Sequence, residues 1–163
     1  KAPDEILQSI SLPSSNMVVQ KSVVNGDSVS ISSMGKEVPV DDATKKRVKE
    51  QALPFPQVEY SNAGYHLALA PVMENLDGKD AYVVTVTSPS GTVIKEYYDA
   101  ATSLEVKKEV TSGAAPSSVT YADYKEVNGI MFPFKQVINQ AFEIELTVKD
   151  LKIDSGLTKA DFK

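Results

Sequence analysis

The side chains that most often carry chemistry are scarce in this chain. Among 163 residues there is one histidine, His66, and no cysteine. A lone imidazole cannot build a multi-histidine zinc site or a two-histidine relay. The lack of thiols removes disulfides, thiolate nucleophiles and thiolate metal sites. His66 sits in Gly64-Tyr65-His66-Leu67-Ala68-Leu69, a predicted strand, where it reads as an ordinary sheet residue. Carboxylates are paired at Asp41/Asp42 and at Glu143/Glu145. Acid–base work needs an apolar setting that raises one pKa, and neither pair has one. The first pair reads as helix capping, the second as the wet face of a strand. No Gly-x-Ser-x-Gly elbow exposes a serine, and the eight glycines stand singly at turns instead of forming a phosphate loop. No catalytic constellation, metal site or cofactor site is expected, so the segment reads as a non-enzyme.

The elements around these residues are mostly strands. Phe142, Ile144, Leu146 and Val148 alternate with Glu143, Glu145 and Lys149, which predicts one dry and one wet sheet face. The phase slips after Asp150 to Leu151 and Ile153, as a bulge or a strand end would require. Asn25-Gly26, Asp77-Gly78, Pro89-Ser90-Gly91 and Asn128-Gly129 mark tight turns between residues 17–24, 28–34, 65–73, 80–88, 92–99, 118–127 and 130–139. The short, regular spacing predicts an up-and-down antiparallel meander. Residues 41–53 lack alternation: an aspartate can cap the start, basic residues follow, and Pro54 stops the run. This predicts one helix of about three turns on the sheet edge. Residues 113–118 read as a small polar loop. No repeat, linker or low-complexity tract appears, so 1–163 reads as one domain.

Composition narrows the function. Seventeen basic against 22 acidic residues give a net charge of −5, which excludes a general nucleic-acid binder and electrostatic docking on anionic lipid. Apolar runs are too short for a membrane-spanning helix. No leader is visible, and the chain starts at Lys1, as a processed protein or a piece of a longer one would. Tyr82, Tyr97, Tyr98, Tyr121, Tyr124, Phe132, Phe134 and Phe142 all fall in predicted strands. They either pack a core or line an apolar concavity. One short helix is little cover for the dry face of a long sheet, and that shortage favours a ligand. By parity, Tyr82, Val84 and Val86 share a face, as do Phe142, Ile144 and Leu146; these six are the expected wall of a hydrophobic ligand site.

Several stretches, taken in order, resemble a known family. They are residues 24–28, 78–86, 88–91 and 96–99 with Thr102-Ser103-Leu104, then 121–134, and last 152–157 with Phe162. Together they resemble the LolA-like domain related to outer-membrane lipoprotein carriers, in the version appended to insulinase-type (pitrilysin family) zinc proteases. The likeness runs from about Asn16 to the end. It implies a mainly β (α+β) fold: a single antiparallel sheet curved into an open half-barrel, one helix near 41–53 and a short C-terminal turn. It also implies export to the periplasm or cell envelope and a concavity that holds acyl chains. His-x-x-Glu-His cannot occur with one histidine, so any protease activity would belong to another part of a parent chain. Domains of this family open with a helix and a first pair of strands before the segment that Pro3-Asp4-Glu5-Ile6-Leu7 resembles, and the expectation is that those elements are absent here. The first expectation is therefore a non-catalytic module for a lipid or other hydrophobic ligand. The alternative is a structural domain appended to a protease with no small-molecule ligand. An uncovered face would also favour a homodimer.

Overall fold

The structure is a computed structural model that describes residues 5–11, 15, 17–52, 55–61, 64–111, 116–153, 155–158 and 162. The chain divides into two compact units, residues 1–58 with 154–163, and residues 59–153. Hydrogen bonding sorts the strands into two antiparallel sheets of four and eight strands, where the sequence suggested one continuous ladder. A helix and a 3-10 turn, Pro56–Glu59, interrupt the meander between the fourth and fifth strands.

In the first unit, β1 (Glu5–Ser11), β2 (Val18–Asn25), β3 (Ser28–Ser33) and β4 (Lys36–Val38) pair in chain order. β4 was not foreseen. Its hairpin turns at Met34-Gly35, both with positive φ, and methionine is not a turn-signature residue. Val23, Val24 and Val29 are buried. The helix α1 spans Asp42–Ala52, and the Asp41 carboxylate accepts the Thr44 backbone N–H at 2.8 Å, which makes Asp41 the cap. Leu53 and Pro54, assigned to the helix end and its stop, lie outside the described residues.

In the second unit, β12 (Glu143–Thr147), β11 (Ile130–Asn139), β10 (Ser117–Val127), β9 (Glu105–Val110), β8 (Val93–Asp99), β7 (Lys79–Thr87) and β5 (His66–Leu69) run edge to edge. β6 (Glu74–Leu76) also pairs with β7. Each partner index sums to 153 along β5 and to 155 along β6, so β5 and β6 are one edge strand broken by two extra residues. Pro71 lies in that break. It has no N–H to give the ladder, which explains why the predicted strand 65–73 splits. Asp77-Gly78 and Asn128-Gly129 take positive φ at both positions, the hairpin geometry their sequence signalled. β9 was missed because a bulge breaks its period. Tyr97 faces Lys107 but Tyr98 faces Glu105, leaving Val106 as the extra residue. Val106 packs instead with the buried cluster Ala81, Val83 and Tyr97. β12 ends at Thr147, which accounts for the phase slip before Leu151. Residues 113–115 of the expected loop lie outside the described residues. Neither ladder closes into a barrel among the described residues.

Candidate functional site

Cross-strand partners project to the same side of a sheet, so register shows which residues share a face. One row runs Leu69, Val84, Glu96, Lys108, Val119, Ile138, Ile144. Alternation adds Tyr82, Val86, Ile94, Tyr98, Tyr121 and Leu146 to this face. Both predicted trios therefore lie on one side of the eight-stranded sheet. They are not adjacent. β7 and β12 are five strand steps apart, about 24 Å along a flat sheet. Val86 is fully buried and Val84 half-buried, while Tyr82 is 46% exposed. Ile144 and Leu146 are exposed, and Phe142, 69% exposed, precedes β12 instead of lying within it. Leu67 and Leu69 on the edge strand β5 are exposed too. The face expected to be dry is thus open at both ends.

Its centre is polar and closed, which the sequence reading missed. Glu96 has no exposed surface. Its carboxylate accepts the Tyr60 hydroxyl at 2.5 Å and the Tyr98 hydroxyl at 2.7 Å, and pairs with the Lys108 ammonium at 3.2 Å. Lys108 also lies 3.6 Å from Glu105. The β9 bulge is what turns Glu105 to this side, opposite Tyr98. The Tyr124 hydroxyl donates to the Glu105 backbone carbonyl. Burial first, then the Glu96 carboxylate, pushes the Tyr60 phenol well above the usual tyrosine range. Burial and Glu105 do the same to Tyr121 and Tyr124. A signal existed: Glu96 alternates in phase with Ile94 and Tyr98, a charge in an apolar position. Tyr60 had none, because it stands outside any strand.

The opposite face carries a separate group. The Tyr97 hydroxyl donates to Glu109 at 2.8 Å, and Lys107 pairs with Glu109 at 2.6 Å. Lys107 holds the Glu109 carboxyl below the usual range, and burial raises the Tyr97 phenol. Asp99 accepts the Ala101 and Thr102 backbone N–H groups and the Thr102 hydroxyl, which lowers its pKa and fixes the turn after β8. His66 is exposed on the β5 edge, opposite Thr87. Glu145 pairs with Lys135 at 2.9 Å on the exposed side of β12. Among the described residues no three His, Asp or Glu side chains gather as a metal ion would require. No helix of the described residues is long and apolar enough to cross a membrane.

No protein-family model and no curated protein matches the sequence. Two solved structures share the fold. One is a LolA superfamily protein from Nitrosomonas europaea, at TM-score 0.58 and 18% identity, covering 97% of this chain and 78% of that one. The other is a DUF1329 family protein from Desulfovibrio piger, at TM-score 0.64 and 14% identity, covering 91% and 71% respectively. At such identities the likeness speaks for backbone architecture, not for the chemistry of a site. An antiparallel, mainly β chain with one helix and unclosed sheets, superposable on a LolA superfamily member over nearly its whole length, has a LolA-like fold.

Proposed function

We propose that this chain is a non-catalytic hydrophobic-ligand module, and that its ligand is an acyl chain or lipid held against the face defined by Leu69, Val84 and Ile144. One observation carries the reading. Leu67, Leu69, Tyr82, Ile144 and Leu146 all lie on that face and are each at least 36% exposed. Large apolar groups gathered on one face usually mark a binding surface. The LolA-like fold supports a carrier-type role, with the face as the concave side of the sheet. It also supports a location in the periplasm or envelope. The sequence resemblance to domains appended to insulinase-type proteases is what favours a parent polypeptide that also carries a protease.

Native mass spectrometry of the purified chain tests the ligand. Extra mass lost on denaturation is the expected result, and its value identifies the lipid. A fluorescent fatty acid gives the second readout. Leu69→Glu and Leu146→Glu, both at exposed positions, test the two ends of the face; at least one should abolish binding while leaving the far-UV circular dichroism unchanged. Full-strength binding by both variants, or no binding by the parent chain, overturns the proposal. The second outcome favours a structural domain without a ligand, a reading that the closed centre around Glu96 and Val86 supports.

A further inference from the structure

The two edges of the eight-stranded sheet differ. β5 has four residues and runs into Ala70-Pro71, and proline blunts an edge. β12 offers a continuous edge from Glu143 to Thr147 with no proline, glycine or bulge, and the Val148 N–H carries its pairing with β11 one residue further, to the position before Lys149. Every strand residue of β12 is exposed. The Val148 N–H bonds to the Phe134 carbonyl and the Gln140 N–H to the Phe142 carbonyl, so the even-numbered residues turn their backbone groups toward β11. The odd-numbered residues, Glu143, Glu145, Thr147 and Lys149, therefore aim theirs outward. Neither Glu143 nor Lys149 belongs to an ion pair among the described residues.

We propose that a second copy of this chain adds to this edge, antiparallel, about a two-fold axis at Leu146. The axis must pass through a residue, because outward groups occur only at odd positions and must meet outward groups. An axis at Leu146 sets Glu143 opposite Lys149 of the second copy, twice by symmetry. It sets Glu145 opposite Thr147, Ile144 opposite Val148, and Leu146 opposite itself in a close non-hydrogen-bonded pair. An axis at Glu145 would place that carboxylate against its own copy. An axis at Thr147 would set Glu145 opposite Lys149, but Glu145 is already paired with Lys135, and Ile144 would face Asp150. Charge complementarity together with the apolar pairing of Ile144 and Val148 thus selects the partner and the register, and the apolar face continues across the join. A C2 arrangement of this kind is closed and cannot grow into a fibre through the same edge.

The test is sedimentation of the full chain at low and high salt, with charge-reversal variants. Wild type should form a dimer that salt weakens. Glu143→Lys and Lys149→Glu should each weaken it about tenfold or more, since like charges then oppose one another at two symmetric points. An equimolar mixture of the two variants should restore a dimer, because every opposed pair is then of opposite sign. Both positions are exposed, Glu143 at the start of β12 and Lys149 just past its end, so folding is retained. Leu146→Cys, the sole thiol in the chain, should oxidise to a disulfide-linked dimer, whereas Ile144→Cys should not. A monomer at every concentration overturns the proposal. So does a dimer that is indifferent to both reversals, or one that fails to return on mixing. Ligand binding is read separately, so failure here leaves the hydrophobic-ligand reading standing.

Discussion

Glu96 is the group whose removal the fold should feel most. It has no exposed surface and three partners: the Tyr98 hydroxyl on its own strand, the Tyr60 hydroxyl, and the Lys108 ammonium on β9. At 3.2 Å and an effective dielectric of 20, the gross attraction to Lys108 is about 5 kcal/mol. Most of that offsets the cost of desolvating both ions. Deleting one partner strands the other, which usually costs about 3–5 kcal/mol. Lys108 would keep Glu105 at 3.6 Å, so Glu96→Leu should fall at the low end, about 3 kcal/mol. Glu96→Gln keeps the shape and one acceptor and should cost about 1.5–3 kcal/mol, the range of a charged hydrogen bond. A variant replacing the whole cluster, Glu96→Leu with Lys108→Met, Tyr60→Phe and Tyr98→Phe, leaves nothing unpaired. It should recover most of the loss or exceed wild type. Urea unfolding followed by far-UV circular dichroism measures this, since the chain has no tryptophan. Hydrogen exchange at β8 and β9 localises the effect. Glu96→Leu within about 1 kcal/mol of wild type would refute the reasoning. So would a fourfold variant no more stable than the single one.

Two further outcomes concern groups on both faces of the same sheet. Tyr60, Tyr97, Tyr121 and Tyr124 hold their protons more tightly in the folded chain than the usual value of 10.0. Below pH 10 both states are protonated and stability is full. Above it the unfolded state ionises first, so stability falls as pH rises. These four of the seven tyrosines should therefore stay protonated in an absorbance titration until alkaline unfolding, then ionise together; a smooth titration near pH 10 with the fold intact would be the contrary result. Val84→Asp sets a second carboxylate opposite Glu96 on the same face. Thermal denaturation should show a loss of several kcal/mol, and Val84→Thr should be far milder; equal melting of the two would place Val84 away from Glu96.

The parts of the fold legible in the sequence were those set by local chemistry. Asp77-Gly78 and Asn128-Gly129 force hairpins because both turn residues must take positive φ. Asp41 and the basic run after it define the helix start without any knowledge of the sheet. Alternation placed Tyr82, Val84 and Val86 on one face and Ile144 and Leu146 on one face. What alternation could not supply was the relation between the trios, which depends on five successive ladders. The bulge in β9 escaped because an extra residue is invisible to a period-two reading, and it moved Glu105 and Val106 to opposite sides. Tyr60 escaped because its role is set by a contact with Glu96, 36 positions away. The break at Pro71 was passed over: the reading ran one strand through residues 65–73, although proline cannot donate to a ladder, and nothing local shows that pairing resumes on the same edge at Glu74.

The buried charge also limits how a ligand can use the face. An acyl chain lying across the strands from Leu69 to Ile144 would have to pass over Glu96 and Lys108, which Tyr60 already closes off. Apolar contact there would require the ion pair to lose its hydroxyl donor, at the cost of an unsatisfied buried carboxylate oxygen. The exposed residues form two zones instead, one around Leu67, Leu69 and Tyr82 and one around Ile144 and Leu146. A single spanning ligand predicts that Leu69→Glu and Leu146→Glu weaken binding of the same fluorescent fatty acid alike. Two separate zones predict that one substitution matters and the other does not. If Leu69→Glu alone removes binding, the β12 end is left free for the second copy of the chain, and the two roles of the face divide between its ends.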